Sequence, residues 1–264
     1  MASGEEEASA LLWRLWQDRA VIDDLPPDLK PATREAGYAI QAHLERFSAS
    51  PRFGWKIAAT SAAGQRHINV SGPMAGRLLA EKVLHDGDTV SVAGNRMSVC
   101  EAEFAFWLGA DLPPRPEPYG MSEVLAAVAD MCLTIELPDS RFADFTGVGE
   151  AALIADNACA SDLILGPRVT ADWRSMDLAA HRVTGRVEGR YDREGVGANV
   201  LGDPRIALTW LANELSGLGI GFRRGELATC GTCLVPLEVV PGDRVVADFG
   251  ILGSVQAKIA EPAG

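Results

Sequence analysis

The sequence predicts an α+β fold, a small helical N-terminal region in front of a strand-rich body. Three observations predict it. Apolar residues recur at helical spacing up to Phe47; from Phe53 they come instead as short runs punctuated by Gly, Pro and Asp. The length of 264 residues, with 47% hydrophobic and 23% charged residues, is ordinary for a globular chain able to bury a sizeable core.

In chain order, Leu11, Leu12, Leu15 and Trp16 form the apolar stripe of a first helix, which Pro26-Pro27 ends. A second helix is expected over Thr33–Phe47, with Thr33 as its cap. Ser48–Arg52 reads as a linker, which divides the chain into a helical region at 1–52 and a strand-rich body at 53–264. Gly54–Thr60 is the first strand of the body, and turn signals at Asp86-Gly87-Asp88 and Gly94-Asn95 precede a second around Cys100–Trp107. A Pro-rich loop leads to a helix over Ser122–Met131 capped by Ser122, then to a short strand, Cys132–Leu137. Ala151–Asp156 reads as a short helix and Pro204–Leu218 as a long one. Strands are expected at Asp162–Val169, His181–Tyr191, Leu234–Val240, Arg244–Phe249 and Ser254–Ile259.

Charge narrows the function classes. Lys+Arg 24 against Asp+Glu 36 gives net −12, which argues against a nucleic-acid partner, whose phosphates draw on basic patches. The acidic start Met1–Glu7 lacks the basic-then-apolar pattern of a secretory signal, and no run approaches a membrane span, so a cytoplasmic protein without a membrane partner is expected. Five cysteines, an odd number, fit a reducing compartment better than a disulfide framework. Cys230-Gly231-Thr232-Cys233 has no second pair or nearby His to complete a zinc site, and reads as two small buried residues in a Gly-containing strand or turn.

The chemistry concentrates in charged residues set in apolar strands. Glu101 and Glu103, two apart on one strand, project from the same face. Either they form a solvent-facing polar edge or they share a cation, since two adjacent carboxylates raise each other's pKa. Hard carboxylate oxygens suit Mg²⁺ or Mn²⁺. Glu136 is similarly placed in an apolar strand, where an unpaired charge is costly. Lys56, one of only four lysines, lies within Phe53–Ala59; it is a proton carrier with a depressed pKa, the partner of a buried carboxylate, or a solvent-facing group on an edge strand. Arg141, in Asp139-Ser140-Arg141, can hold a substrate carboxylate bidentately or form a surface salt bridge. None of the four histidines has metal spacing, and there is no nucleophile elbow, P-loop or dinucleotide fingerprint.

Several of these stretches, in this order, resemble the 2-keto-4-pentenoate hydratase and 2-oxo-3-hexenedioate (4-oxalocrotonate) decarboxylase family of the fumarylacetoacetase-like superfamily. They are Gly54-Trp55-Lys56-Ile57 with Thr60-Ser61, Glu101–Phe106, Ile135–Arg141, Ala155–Ala158, Val200–Pro204 with Ala207–Asn213, and Ala247–Gly250 with Leu252–Val255. The resemblance covers nearly the whole chain. It implies a mixed β-roll of the fumarylacetoacetase C-terminal type, assembled as a homo-oligomer. It also implies that Glu101, Glu103 and Glu136 hold one Mg²⁺ or Mn²⁺ and that Lys56 is the acid/base or substrate-orienting group. Ser61, Ser140 and Arg141 then bind the substrate. Where family members carry acidic residues after a Gly-x-Leu segment, this chain runs Gly76-Arg77-Leu78-Leu79 into Ala80-Glu81; an acid/base there is absent, or Glu81 replaces it. The implied activity is a lyase of aromatic catabolism: a hydratase that adds water to a 2-hydroxy-2,4-dienoate, or a 2-oxo-3-hexenedioate decarboxylase. Both need one metal-bound enolate. An acylpyruvate C–C hydrolase is a further alternative, for which no suitable His-Glu pair is evident. Outside enzymology, the chain could serve as a metal-binding subunit of a complex with a pathway enzyme.

Overall fold

The computed structural model describes residues 3–262; residues 1–2 and 263–264, at the outer ends of the two expected regions, lie outside the described residues. Two helices open the chain. The first, α1 (Gly4–Asp18), is capped by Ser3, whose hydroxyl accepts from Glu6 N at 3.2 Å, and it carries Glu5, Glu6 and Glu7 in its first turn, where the helix dipole favours acids. α2 (Arg34–Ala42) starts at Thr33, whose hydroxyl accepts from Ala36 N, as the sequence predicts, and it continues into a short 3₁₀ turn at His43–Arg46. Leu12 of α1 and Tyr38 and Ile40 of α2 are buried in the same core as the sheet residues Trp55, Phe104 and Leu133.

The body follows in the order β1 (Arg52–Ala58), α3 (Ala62–His67), β2 (Met74–Leu79), β3 (Val83–His85), β4 (Thr89–Val90), β5 (Val99–Leu108), α4 (Met121–Ala127), β6 (Val128–Leu137), α5 (Glu150–Ala155) and β7 (Asp162–Arg168). After these come β8 (Arg182–Val187), β9 (Tyr191–Val196), α6 (Pro204–Gly217), β10 (Leu227–Thr232), β11 (Leu237–Glu238), β12 (Arg244–Asp248) and β13 (Ser254–Ile259). The larger sheet runs β2-β1-β10-β5-β6-β7-β3, with β11 added to β5; the smaller runs β4-β13-β12-β8-β9. β1 with β10 and β3 with β7 are parallel pairs and the remaining neighbours of the larger sheet are antiparallel, so that sheet is mixed.

Several elements differ from expectation for identifiable reasons. Ser122 is not a cap: α4 begins after Gly120 without a side-chain cap and stops at Ala127, because from Val128 the chain pairs with β5. His181–Tyr191 is the first arm of a hairpin turned at Gly189, with φ +74°. Only Leu237–Glu238 of the expected strand at 234–240 joins a ladder, after Pro236, which has no N–H to give. β2 and β10 escape the pattern because they are almost wholly buried and show no alternation of apolar and polar residues.

Alternation on β5 is what positions the site. Ala102, Phe104, Phe106 and Leu108 enter the main core, which leaves Glu101, Glu103, Ala105 and Trp107 on the opposite face. Beside β5 in the same sheet, β10 pairs closely with β1: a Cβ at Gly54 would lie 2.0 Å from the Leu227 carbonyl oxygen. Gly54→Ala is therefore expected to part β1 from β10 and to cost about 3 kcal/mol of stability. Denaturant unfolding checks this, and an unchanged midpoint would show that the sheet can yield at this point.

Candidate metal centre

Sheet register assembles three carboxylates. Glu136 of β6 stands directly opposite Glu101 of β5, and Thr134 opposite Glu103. Cross-strand partners share a face, so Glu136 joins the Glu101–Glu103 pair that the two-residue spacing had already aligned. One oxygen from each of the three lies within 4.8 Å of the others. Glu103 and Glu136 are buried and Glu101 is half-buried. Glu103 Oε2 accepts from the Gly231 N–H at 2.9 Å, but its Oε1 has no hydrogen-bond partner among the described residues, nor does either oxygen of Glu136. Unpartnered buried acceptors are costly, and carboxylate oxygens turned toward one point form a donor set that fits a hard divalent cation.

Lys56 of β1 is the counter-charge. Its Nζ is 2.9 Å from Glu136 Oε1, a close ion pair whose angle falls short of a hydrogen bond, and it donates to the Ala158 carbonyl at 3.0 Å. Lys56 opposes Gly76 on β2, where a Cβ would come within 3.0 Å of the lysine stem.

Burial is the largest influence on each titration. It pushes the Glu101 carboxyl up, with Glu136 adding to the effect and Lys56 opposing it, to about 7. Burial, then Glu136 and Glu101, raise Glu103 well above the usual carboxylate range. Burial works against the Lys56 ammonium, but Glu136 and the two other glutamates override it and hold its pKa up at about 12. This corrects the expected depression: of the three sequence readings of Lys56, the one found is the pair with a buried carboxylate.

A pH dependence follows for the metal-free protein. Glu101 has a folded-state pKa above its ordinary 4.5, so between about 4.5 and about 7 the folded chain holds a proton that the unfolded chain has released. Stability from this group therefore falls as pH rises through that window, and Glu103 extends the fall upward. In chelator the melting temperature is expected to be lower at pH 8 than at pH 6, with Mg²⁺ raising it more at pH 8. Equal melting temperatures in chelator would show that the carboxylates are not in conflict.

The remaining predicted residues divide. Ser61 caps α3, accepting from Gly64 N at 3.0 Å, and follows Thr60, whose side chain fills the space a Cβ on Gly231 would need. Thr60, the residue before Ser61, thus packs against the irregularity of β10 whose N–H bonds Glu103. Ser140 and Arg141 are committed elsewhere: Ser140 Oγ donates to Asp156 Oδ2 at 2.7 Å, and the Arg141 guanidinium bonds Asp156 and the Ala160 carbonyl while lying over the Trp16 ring. Neither the open bidentate arm nor the surface salt bridge expected of Arg141 is found, because Asp156 is buried and takes the guanidinium for itself. Glu81 is exposed, accepts from Ser48 Oγ, and lies past the end of β2 that pairs Leu79 with Arg52; the structure does not bring it to the cluster.

Gly231 and Thr60 are the contributors that the sequence reading missed. Gly231, with φ +95°, sits in the irregularity between Thr229 and Thr232 that turns its N–H onto Glu103. A glycine within an apolar run was the available signal. Cys230 and Cys233 are free and buried, as expected.

No family model matches the chain. It is 31% identical over 256 residues to the 2-keto-4-pentenoate hydratase of Paraburkholderia xenovorans (strain LB400), covering 96% of this chain and 94% of that protein. It is 33% identical over 230 residues to the 2-hydroxyhexa-2,4-dienoate hydratase of Comamonas testosteroni, covering 85% and 84%. Among solved structures, 4-oxalocrotonate decarboxylase from Pseudomonas putida G7, complexed with magnesium and adipate, superposes with a TM-score of 0.87 at 25% identity over 97% of each chain. A fumarylacetoacetate hydrolase from psychrophilic Exiguobacterium antarcticum shares the fold at a TM-score of 0.58 and 14% identity, over 80% of this chain and 76% of that one.

Proposed function

The chain belongs to the 2-keto-4-pentenoate hydratase family, and we propose that it is a divalent-metal-dependent hydro-lyase converting a 2-hydroxy-2,4-dienoate into a 4-hydroxy-2-oxo acid. The observation that carries this reading is the convergence of Glu101, Glu103 and Glu136, with unpartnered oxygens on the two buried members, beside a buried lysine. These three carboxylates would hold Mg²⁺ or Mn²⁺, hard cations that favour oxygen ligands. Such a cation, when bound, supplies the positive charge that stabilises negative charge developing on the substrate's C2 oxygen.

The chain's own groups do the rest. Lys56, held as an ammonium by Glu136, is the acid/base group. It gives a proton to C5 of the dienol and is returned to its ammonium form by the proton that the C2 hydroxyl releases, leaving a 2-oxo-3-enoate; water then adds its oxygen to C4 and a proton to C3. The Gly231 N–H fixes the Glu103 carboxylate so that its free oxygen keeps one direction. Thr60 stands beside that glycine, and Ser61, the next residue, is taken as a substrate-binding group in this reading.

A second reading, decarboxylation of 2-oxo-3-hexenedioate, is favoured by the full-length superposition on the decarboxylase. In it the same charge on the C2 oxygen arises by loss of CO₂ rather than of a proton.

Turnover of freshly generated 2-hydroxypenta-2,4-dienoate and of 2-oxo-3-hexenedioate, each with Mg²⁺, Mn²⁺ or chelator, separates the two. Metal-dependent consumption of the dienoate is the expected result. Release of CO₂ from the hexenedioate with the dienoate untouched would replace the hydratase reading by the decarboxylase one, and tight metal binding with neither substrate consumed would overturn both.

A further inference from the structure

We propose that the turn Asn157–Ala158–Cys159 is a strained positioning device for Lys56, and that Asn157 is the residue that holds it in place. This rests on the reading of Lys56 as the acid/base group. The three residues have φ of 56°, 51° and 60°, left-handed values that side chains with a Cβ adopt reluctantly and seldom in succession. All three are buried. Such a run persists only where its surroundings over-determine it.

The surroundings can be named. Asn157 Oδ1 accepts from the Arg77 N–H at 2.6 Å and its Nδ2 donates to the Arg77 carbonyl at 2.9 Å, so one side chain pairs with both outward backbone groups of the edge strand β2, much as another strand would. Asp156, just before the turn, is fastened by Ser140 and Arg141. At its end, the Cys159 carbonyl accepts from Asp139 N at 3.0 Å, and just after it the Ala160 carbonyl accepts from Arg141 Nη1 at 3.1 Å. The turn also touches the lysine's own track: a Cβ at Gly76 would lie 2.4 Å from the Asn157 carbonyl oxygen and 3.0 Å from Lys56 Cδ.

What this fixes is the Ala158 carbonyl, which accepts from Lys56 Nζ. An ammonium has three N–H groups; the hydrogen bond to Ala158 O takes one of them, and the Glu136 carboxylate 2.9 Å away attracts the charge without fixing an N–H direction, so the Ala158 carbonyl is the contact that orients the group. A glycine at 158 would adopt the same φ without strain but would hold the carbonyl less firmly. A turn that only connects α5 to β7 would lose nothing by that exchange.

The test uses the full-length protein with Asn157→Ala and Ala158→Gly, assayed with Mg²⁺ on 2-hydroxypenta-2,4-dienoate alongside Lys56 Nζ resonances in lysine-labelled protein, where four lysines keep the spectrum assignable. Asn157→Ala is expected to lower kcat about 30-fold, the size of a lost outer positioning contact, with KM within about twofold and Mg²⁺ affinity unchanged. The Lys56 Nζ protons would lose their protection from exchange. Ala158→Gly is expected to raise the melting temperature by about 3 °C and still lower kcat, a combination a merely structural turn would not give. Unaltered kcat and Lys56 protection in folded Ala158→Gly would overturn the proposal, even if Asn157→Ala does not fold. If the parent consumes neither dienoate nor hexenedioate, the functional reading has failed, and the Lys56 exchange rates still decide whether the turn holds the ammonium.

Discussion

Glu103→Gln is expected to lower turnover of the dienoate about 10³-fold, and to abolish the rise in melting temperature that Mg²⁺ gives the parent, without destabilising the metal-free protein. The glutamine keeps the shape of the side chain, and its carbonyl oxygen can still accept from the Gly231 N–H that now meets Glu103 Oε2 at 2.9 Å. What it removes is one of three carboxylate charges whose oxygens lie within 4.8 Å of one another. In the metal-free chain those charges repel, and burial and its two neighbours already push the Glu103 carboxyl upward, so neutralising it relieves a conflict. The two effects have opposite signs, and that separates a metal ligand from a structural acid: a structural acid would give a less stable variant with its Mg²⁺ response intact. Thermal melts in chelator and in Mg²⁺, beside the rate, decide it. A variant that keeps the parent's Mg²⁺ shift removes Glu103 from the ligand set.

How much of this was legible in the sequence depends on which contacts are local. The two-residue spacing of Glu101 and Glu103 fixes a shared face once the segment is a strand, and that expectation needed no partner. That Glu136 stands opposite Glu101 is a matter of register between β5 and β6, which no local spacing gives; a charge in an apolar strand and the resemblance to a known family point only to a shared site. Lys56 was visible as a charge in an apolar strand, yet the direction of its pKa followed from Glu136, across the sheet from it in β6, and burial alone pointed the wrong way. Arg141 was misread for the same reason. Asp156, fifteen residues further on, takes its guanidinium, and no spacing rule pairs the two. The expectation for Glu81 rests on its place after the Gly76-Arg77-Leu78 segment, whereas the chain past the end of β2 leaves it exposed.

Lys56→Met tests the other half of the site, and here rate and stability are expected to fall together. Methionine fills part of the lysine's track along Gly76 but leaves Glu136, only 1% exposed, with no cation beside it. Breaking a buried pair by removing one partner costs about 3–5 kcal/mol, because the desolvated charge left behind has nothing to offset it. Loss of the acid/base group is expected to lower kcat by about 10²- to 10⁴-fold. Mg²⁺ should restore much of the lost stability, since a cation among the glutamates replaces the missing positive charge, but none of the lost rate. The double variant Lys56→Met with Glu136→Gln, which removes both charges, should be more stable in chelator than Lys56→Met alone, and the cycle of four proteins gives the coupling between the two directly. A Lys56→Met protein that turns over dienoate at the parent's rate would end the acid/base assignment. One that is as stable as the parent in chelator would show that Glu136 finds its proton or its partner elsewhere.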